Sequence, residues 1–189
     1  MKRITIPVFI FCLSIMSINI YGQNHFFNYE KIKIEKAQII EKAYQSKEIF
    51  PRYKIVYCDF EQPKVFKRPN DSILGPVSVK YFYSKNDSVV GSVSYDWNVK
   101  YETNRKDFFK IYNVAFDKII QVISKEIGEP KPNQGKIEKK YDDTMPVKPI
   151  EFYERRIVWE NDNYKVTTIL LWTKLQGGVN FQTTIDLKE

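Results

Sequence analysis

Histidine is almost missing from this chain, which has one, His25, and it has only two cysteines, Cys12 and Cys58. A cysteine nucleophile needs a nearby base, and His25 stands close to the N-terminus, so Cys-His catalysis and a His-rich metal site are both excluded as expectations. No disulfide can form within the mature chain if Cys12 is lost with a leader, and "KIVYCDF" sets Cys58 among strand-forming residues, where a lone thiol is usually buried. There is no run of five or six Lys or Arg of the kind a nucleic-acid-binding arm shows. The nucleophile elbow G-x-S-x-G, the zinc motif H-E-x-x-H, a glycine loop for phosphate and a C-x-x-C pair are all absent. These absences remove the common routes to catalysis, and no cofactor is implied.

Long apolar runs are equally scarce. The one uncharged run, residues 4–20, follows Lys2 and Arg3, contains Pro7 and is diluted by Ser14, Ser17 and Asn19. A membrane-spanning helix needs about 20 predominantly apolar residues, whereas a short positive start and a short apolar stretch make a secretory leader. Residues 1–22 are therefore expected to be a signal peptide cleaved after Gly22, leaving residues 23–189 as a single exported domain, periplasmic or secreted, with no transmembrane span. The formal net charge of +7 is spread along the chain. That balance suits a protein partner or an envelope component better than nucleic acid.

Periodicity organises the rest. Residues 26–50 carry a rough apolar stripe of helical spacing that Pro51 ends. Residues 52–61 read as a strand, and 62–70, with Pro63 and Pro69, as a loop. "NDSILGPVSV" from Asn70 and "NDSVVGSVSY" from Asn86 are similar and lie an even number of residues apart, so each reads as a turn feeding an amphipathic strand with corresponding side chains on one face. Residues 105–127 form the strongest helical pattern, with Asn104 as cap and Gly128 as stop. Residues 129–149 hold four prolines and no period, which predicts a long loop. Residues 151–160, 164–174 and 179–187 read as a meander turning at Asn161-Asp162-Asn163 and at Gln176-Gly177-Gly178. The order helix, three strands, helix, three strands predicts an α+β fold: an antiparallel sheet of about six strands with the helices packed on one face.

Aromatic residues, 15% of the chain, are the unusual feature. Tyr81, Tyr83, Tyr95 and Trp97 should share a sheet face, as core beneath a helix or as an apolar or sugar-stacking platform, with Phe82 opposite. Trp159 and Tyr153 flank Arg155 on one strand, an arrangement suited to gripping a partner. The candidate binding residues are thus Trp159, Arg155, Tyr153, Phe82, Tyr95 and Trp97. Asp59 and Glu61 could share a strand face as an acid-base pair, although alternating charges usually mark a solvated face. The acidic turn at residues 160–163 and the Asp142-Asp143 pair lack the pattern of a calcium loop. The expected function is an exported, non-enzymatic binding module; the alternatives are a carboxylate-dependent hydrolase or lyase, and a structural envelope protein with no discrete site.

Overall fold

The computed structural model describes residues 26–50, 60–69, 73–100, 108–142, 150–173 and 178–188. Its elements are α1 (Ile34–Ala43), β1 (Lys47–Ile49), β2 (Lys64–Arg68), β3 (Val77–Tyr83), β4 (Val90–Lys100), α2 (Phe108–Ile127), β5 (Ile137–Asp142), β6 (Ile150–Glu160), β7 (Tyr164–Thr173) and β8 (Gly178–Leu187). The eight strands form one sheet in the order β1-β2-β3-β4-β8-β7-β6-β5. Every neighbouring pair is antiparallel.

This corrects the expected six-stranded, helix-layered α+β arrangement: the described residues build a single eight-stranded antiparallel sheet that carries two helices. The additional strands sit at the two edges, where pairing to one neighbour suffices and no apolar alternation is needed. β1 lies within the expected first helix, and β5, "IEKKYD", within the expected loop over 129–149. β2 occupies residues expected to be loop, while the strand expected over 52–61 falls mostly outside the described residues. The first helix is also shorter than its stripe. Lys33 bridges to Val89, Ile34 N–H donates to Ser88 O and Val90 N–H to Ile32 O, so residues 32–34 are held extended against the β3–β4 turn until α1 begins.

Alternation makes one sheet face apolar. Phe66, Val79, Tyr81, Val93, Tyr95, Trp97, Ile157, Trp159, Val166, Leu170, Phe181 and Ile185 are all buried. The β8 alternation is as its sequence implies, with Val179, Phe181, Thr183, Ile185 and Leu187 buried. Thr183 is tolerated there because its hydroxyl bonds that of Thr168 across the β7–β8 pair at 3.0 Å. The two similar segments become neighbours: β3 and β4 pair with Val79 opposite Tyr95 and Tyr81 opposite Val93.

α2 lays Phe116, Ile119 and Ile123 into the core, and the Phe116 ring lies 6.4 Å from that of Phe181. The helix ends at Gly128, whose φ of 91° is one glycine accepts readily and whose N–H donates to Ser124 O. Asn104, its expected cap, lies outside the described residues. Asn161 makes the β6–β7 turn, its Oδ1 accepting from the N–H groups of Asn163 and Tyr164; the turn expected at Gln176-Gly177 lies outside the described residues. No helix among the described residues is long and apolar enough to cross a membrane.

Candidate functional site

Two arginines rise from the apolar face, each from the second strand of its half of the chain, and each meets an acid from the preceding helix. In the first half the pair is sealed. Glu41 and Arg68 are 0% and 1% exposed. Arg68 Nε and Nη2 donate to the two Glu41 carboxylate oxygens at 3.0 and 2.6 Å, a fork-to-fork bridge, while Tyr81 and Ser46 hydroxyls donate to the same carboxylate at 2.7 and 2.6 Å. The guanidinium lies 3.9 Å from the Tyr44 ring centre and 5.5 Å from those of Phe26 and Tyr95. Burial works against its charge, but Glu41 together with Tyr95 and Tyr81 outweighs that and holds the Arg68 pKa above its ordinary value. Burial likewise raises the Tyr95 hydroxyl to about 12 and keeps Tyr81 protonated. This is a charge fixed for stability, with no room for a substrate.

The second half leaves its arginine half open. Arg155, on β6, donates from Nε to Gly135 O at 2.9 Å and from Nη1 to Asn113 Oδ1 at 3.0 Å and Asp117 Oδ1 at 2.8 Å. Its guanidinium lies 5.1 Å from the Phe116 ring centre. Nη2 makes no hydrogen bond among the described residues. A narrow apolar cleft opens beside it, lined by Tyr112, Ile137, Tyr153, Leu170 and Trp172. The Tyr153 ring lies 5.0 Å from that of Trp172, and its hydroxyl donates to Glu151 at 3.0 Å. At the rim, on edge strand β5, Ile137 and Tyr141 are 47% and 56% exposed. Lys139 pairs with Glu151 at 2.8 Å and stands over the Tyr141 ring.

The six sequence candidates therefore separate. Tyr153 and Arg155 come together at this corner. Trp159, Tyr95 and Trp97 are buried: the Trp159 indole donates to Gly128 O at 3.0 Å, pinning the end of α2 to β6, and Tyr95 accepts from Asn28 N–H. Phe82 lies on the opposite, polar face, lining a groove with Phe60 and Lys80. Glu61 is exposed, and Asp59, Cys58 and His25 lie outside the described residues. Among the described residues no group of three or more His, Cys, Asp or Glu could hold a metal ion. The pattern reading missed Glu41 and Arg68, although Glu41 stands seven after Ile34 and four after Ala37, on the buried register of α1. It also missed Asn113 and Asp117, which no local pattern marks. Set against known proteins, the chain matches no family model, no curated protein and no solved structure.

Proposed function

We propose that the protein is an exported, non-enzymatic binding module of the cell envelope or extracellular space, which grips a protein partner at the corner formed by α2, β5 and β6. The observation that carries this reading is Arg155: it is braced by Gly135, Asn113 and Asp117, backed by Phe116, and left with Nη2 unbonded beside an apolar cleft. An arginine whose own entropy is already spent, next to tyrosine and tryptophan, is the composition of an interface anchor. Exposed Ile137 and Tyr141 extend it onto the edge strand. Export rests on the leader-like residues 1–22.

The test is a pull-down from the native envelope with the purified mature protein. Arg155→Gln, Tyr141→Ala and Ile137→Ser are compared with the unaltered chain after circular dichroism has shown each to be folded. Loss of one captured protein with all three is expected, and the intact mass of the exported form should begin at Gln23. Equal capture by the three variants removes the corner as the site; an intact mass that includes residues 1–22 removes the export reading.

A further inference from the structure

We propose that the polar face of the sheet carries a second binding groove, separate from the Arg155 corner, whose ligand is a short neutral oligosaccharide. The groove encloses about 860 Å³ of space open to solvent and runs across β3, β4 and β8 between Phe60, Phe82 and Lys80 on one side and Asp186 on the other. Its wall is set by Gly91. Phe60 bridges to Ser84, and its ring lies so close over Gly91 that a Cβ there would stand 3.1 Å from Phe60 Cε1. The absence of a Cβ at Gly91 lets that ring lie down against the sheet without giving way.

The floor is a row of short hydroxyl, amide and carboxylate groups. Ser92 donates to Asp186 Oδ1 at 2.8 Å, Gln182 Nε2 to Ser94 Oγ at 3.2 Å, and Ser94 to Asp96 at 3.4 Å. These bonds hold the groups in place and leave capacity over: Gln182 Oε1 and the Thr184 hydroxyl have no partner among the described residues, and Asp186 keeps its second oxygen. Donors and acceptors thus alternate along a groove with aromatic rings at its side, which suits a ligand with a rim of hydroxyls and apolar C–H faces.

Charge and topology weigh against the other occupants. Lys80 is the one cation among the groove's lining residues and Asp96 pairs with it at 2.8 Å, while Asp186 adds a negative charge, so the lining favours a neutral ligand over a phosphate, sulfate or uronate; Lys165, opposite Asp186 on β7, lies outside that lining. An extended peptide gains its affinity by adding to a sheet edge. β3, β4 and β8 are interior strands, flanked on both sides, and offer no main-chain edge.

The experiment is a titration of the ¹⁵N-labelled mature protein with maltohexaose, cellohexaose and chitohexaose, and separately with polygalacturonate and an unrelated extended peptide. At least one neutral sugar should shift the amides of Ser92, Ser94, Gln182 and Thr184. Phe82→Ala, Gln182→Ala and Thr184→Val should each weaken it roughly tenfold, the loss of one stacked ring or one well-placed hydrogen bond. Thr184→Val preserves shape and guards against a folding artefact, and Tyr141→Ala at the corner should leave sugar binding unchanged. The proposal is overturned if none of the three sugars moves these amides, if polygalacturonate or the peptide binds there in their place, or if Tyr141→Ala abolishes the effect.

Discussion

Glu41 is a fully buried carboxylate that accepts four hydrogen bonds, and removing its charge strands Arg68 in the core. Among the described residues Arg68 Nη1 already has no hydrogen-bond partner, so the cation depends on Glu41 and on the rings of Tyr44, Phe26 and Tyr95. Breaking one side of a buried pair typically costs about 3–5 kcal/mol, whereas replacing both members with apolar residues of similar size is often neutral. Glu41→Gln should therefore lower the urea midpoint sharply at unchanged slope, and the double variant Glu41→Leu, Arg68→Met should recover most of it; a single variant as stable as the parent would show that the charge is not buried in solution. Glu160 behaves oppositely, as a surface acid. Hydrogen bonds from Lys131 and then Lys188 lower its pKa from the ordinary 4.5 to about 2. Because the folded pKa lies below the unfolded one, the contribution is fully present above the unfolded value and is lost as pH falls through about 2. A ¹³C carboxyl titration should find that midpoint, and Lys188→Ala should move it back up.

Gly135 shows how a single turn controls an element. It has a φ of 84°, a conformation that strains any L side chain, and a Cβ there would stand 2.7 Å from Ile157 Cδ1 and push that methyl aside. Its carbonyl also accepts from Arg155 Nε. Gly135→Ala should cost about 1–3 kcal/mol and loosen β5 together with Arg155. Faster amide exchange over Ile137–Asp142 than over β7 is the expected reading, and a uniform change across the sheet would contradict it. β5 also marks the limit of what the sequence made legible. β7, β8 and α2 announced themselves by period, because each buries a face against something distant. β5 has no buried face to encode; it exists because β6 offers an edge of main-chain donors and acceptors. The corner had the same partial visibility. Tyr153 and Arg155 were readable from their shared strand face, but Asn113 and Asp117 brace Arg155 from 42 and 38 residues away, a relation set only by the crossover from α2 to β6. Trp159 looked like a partner surface because alternation reveals which face a ring takes and not what covers it.

In chain order each half of the molecule is a helix followed by four strands, and β4 and β8, the last strand of each, pair at the centre of the sheet. Ser92 to Lys100 faces Asp186 to Gly178 in unbroken register, and the buried row continues across this seam from Val93, Tyr95 and Trp97 to Ile185, Thr183 and Phe181. The seam is not the only tie: Phe26 N–H and the Tyr29 hydroxyl, both preceding α1, donate to Glu126 of α2 at 2.6 and 2.7 Å. Neither half can leave without exposing the other's apolar face, so the two should unfold in one transition. The three tryptophans make this measurable, since Trp97 belongs to the first half and Trp159 and Trp172 to the second. The Trp97→Phe protein reports the second half by fluorescence, and the Trp159→Phe, Trp172→Phe protein reports the first. In each, the fluorescence transition in urea should superimpose on that from circular dichroism. Phe181→Ala, which empties the centre of the seam, should cost about 3–5 kcal/mol and move both transitions together. Two separated midpoints, or a Phe181→Ala effect confined to the second-half tryptophans, would mean that the seam joins two domains that fold on their own.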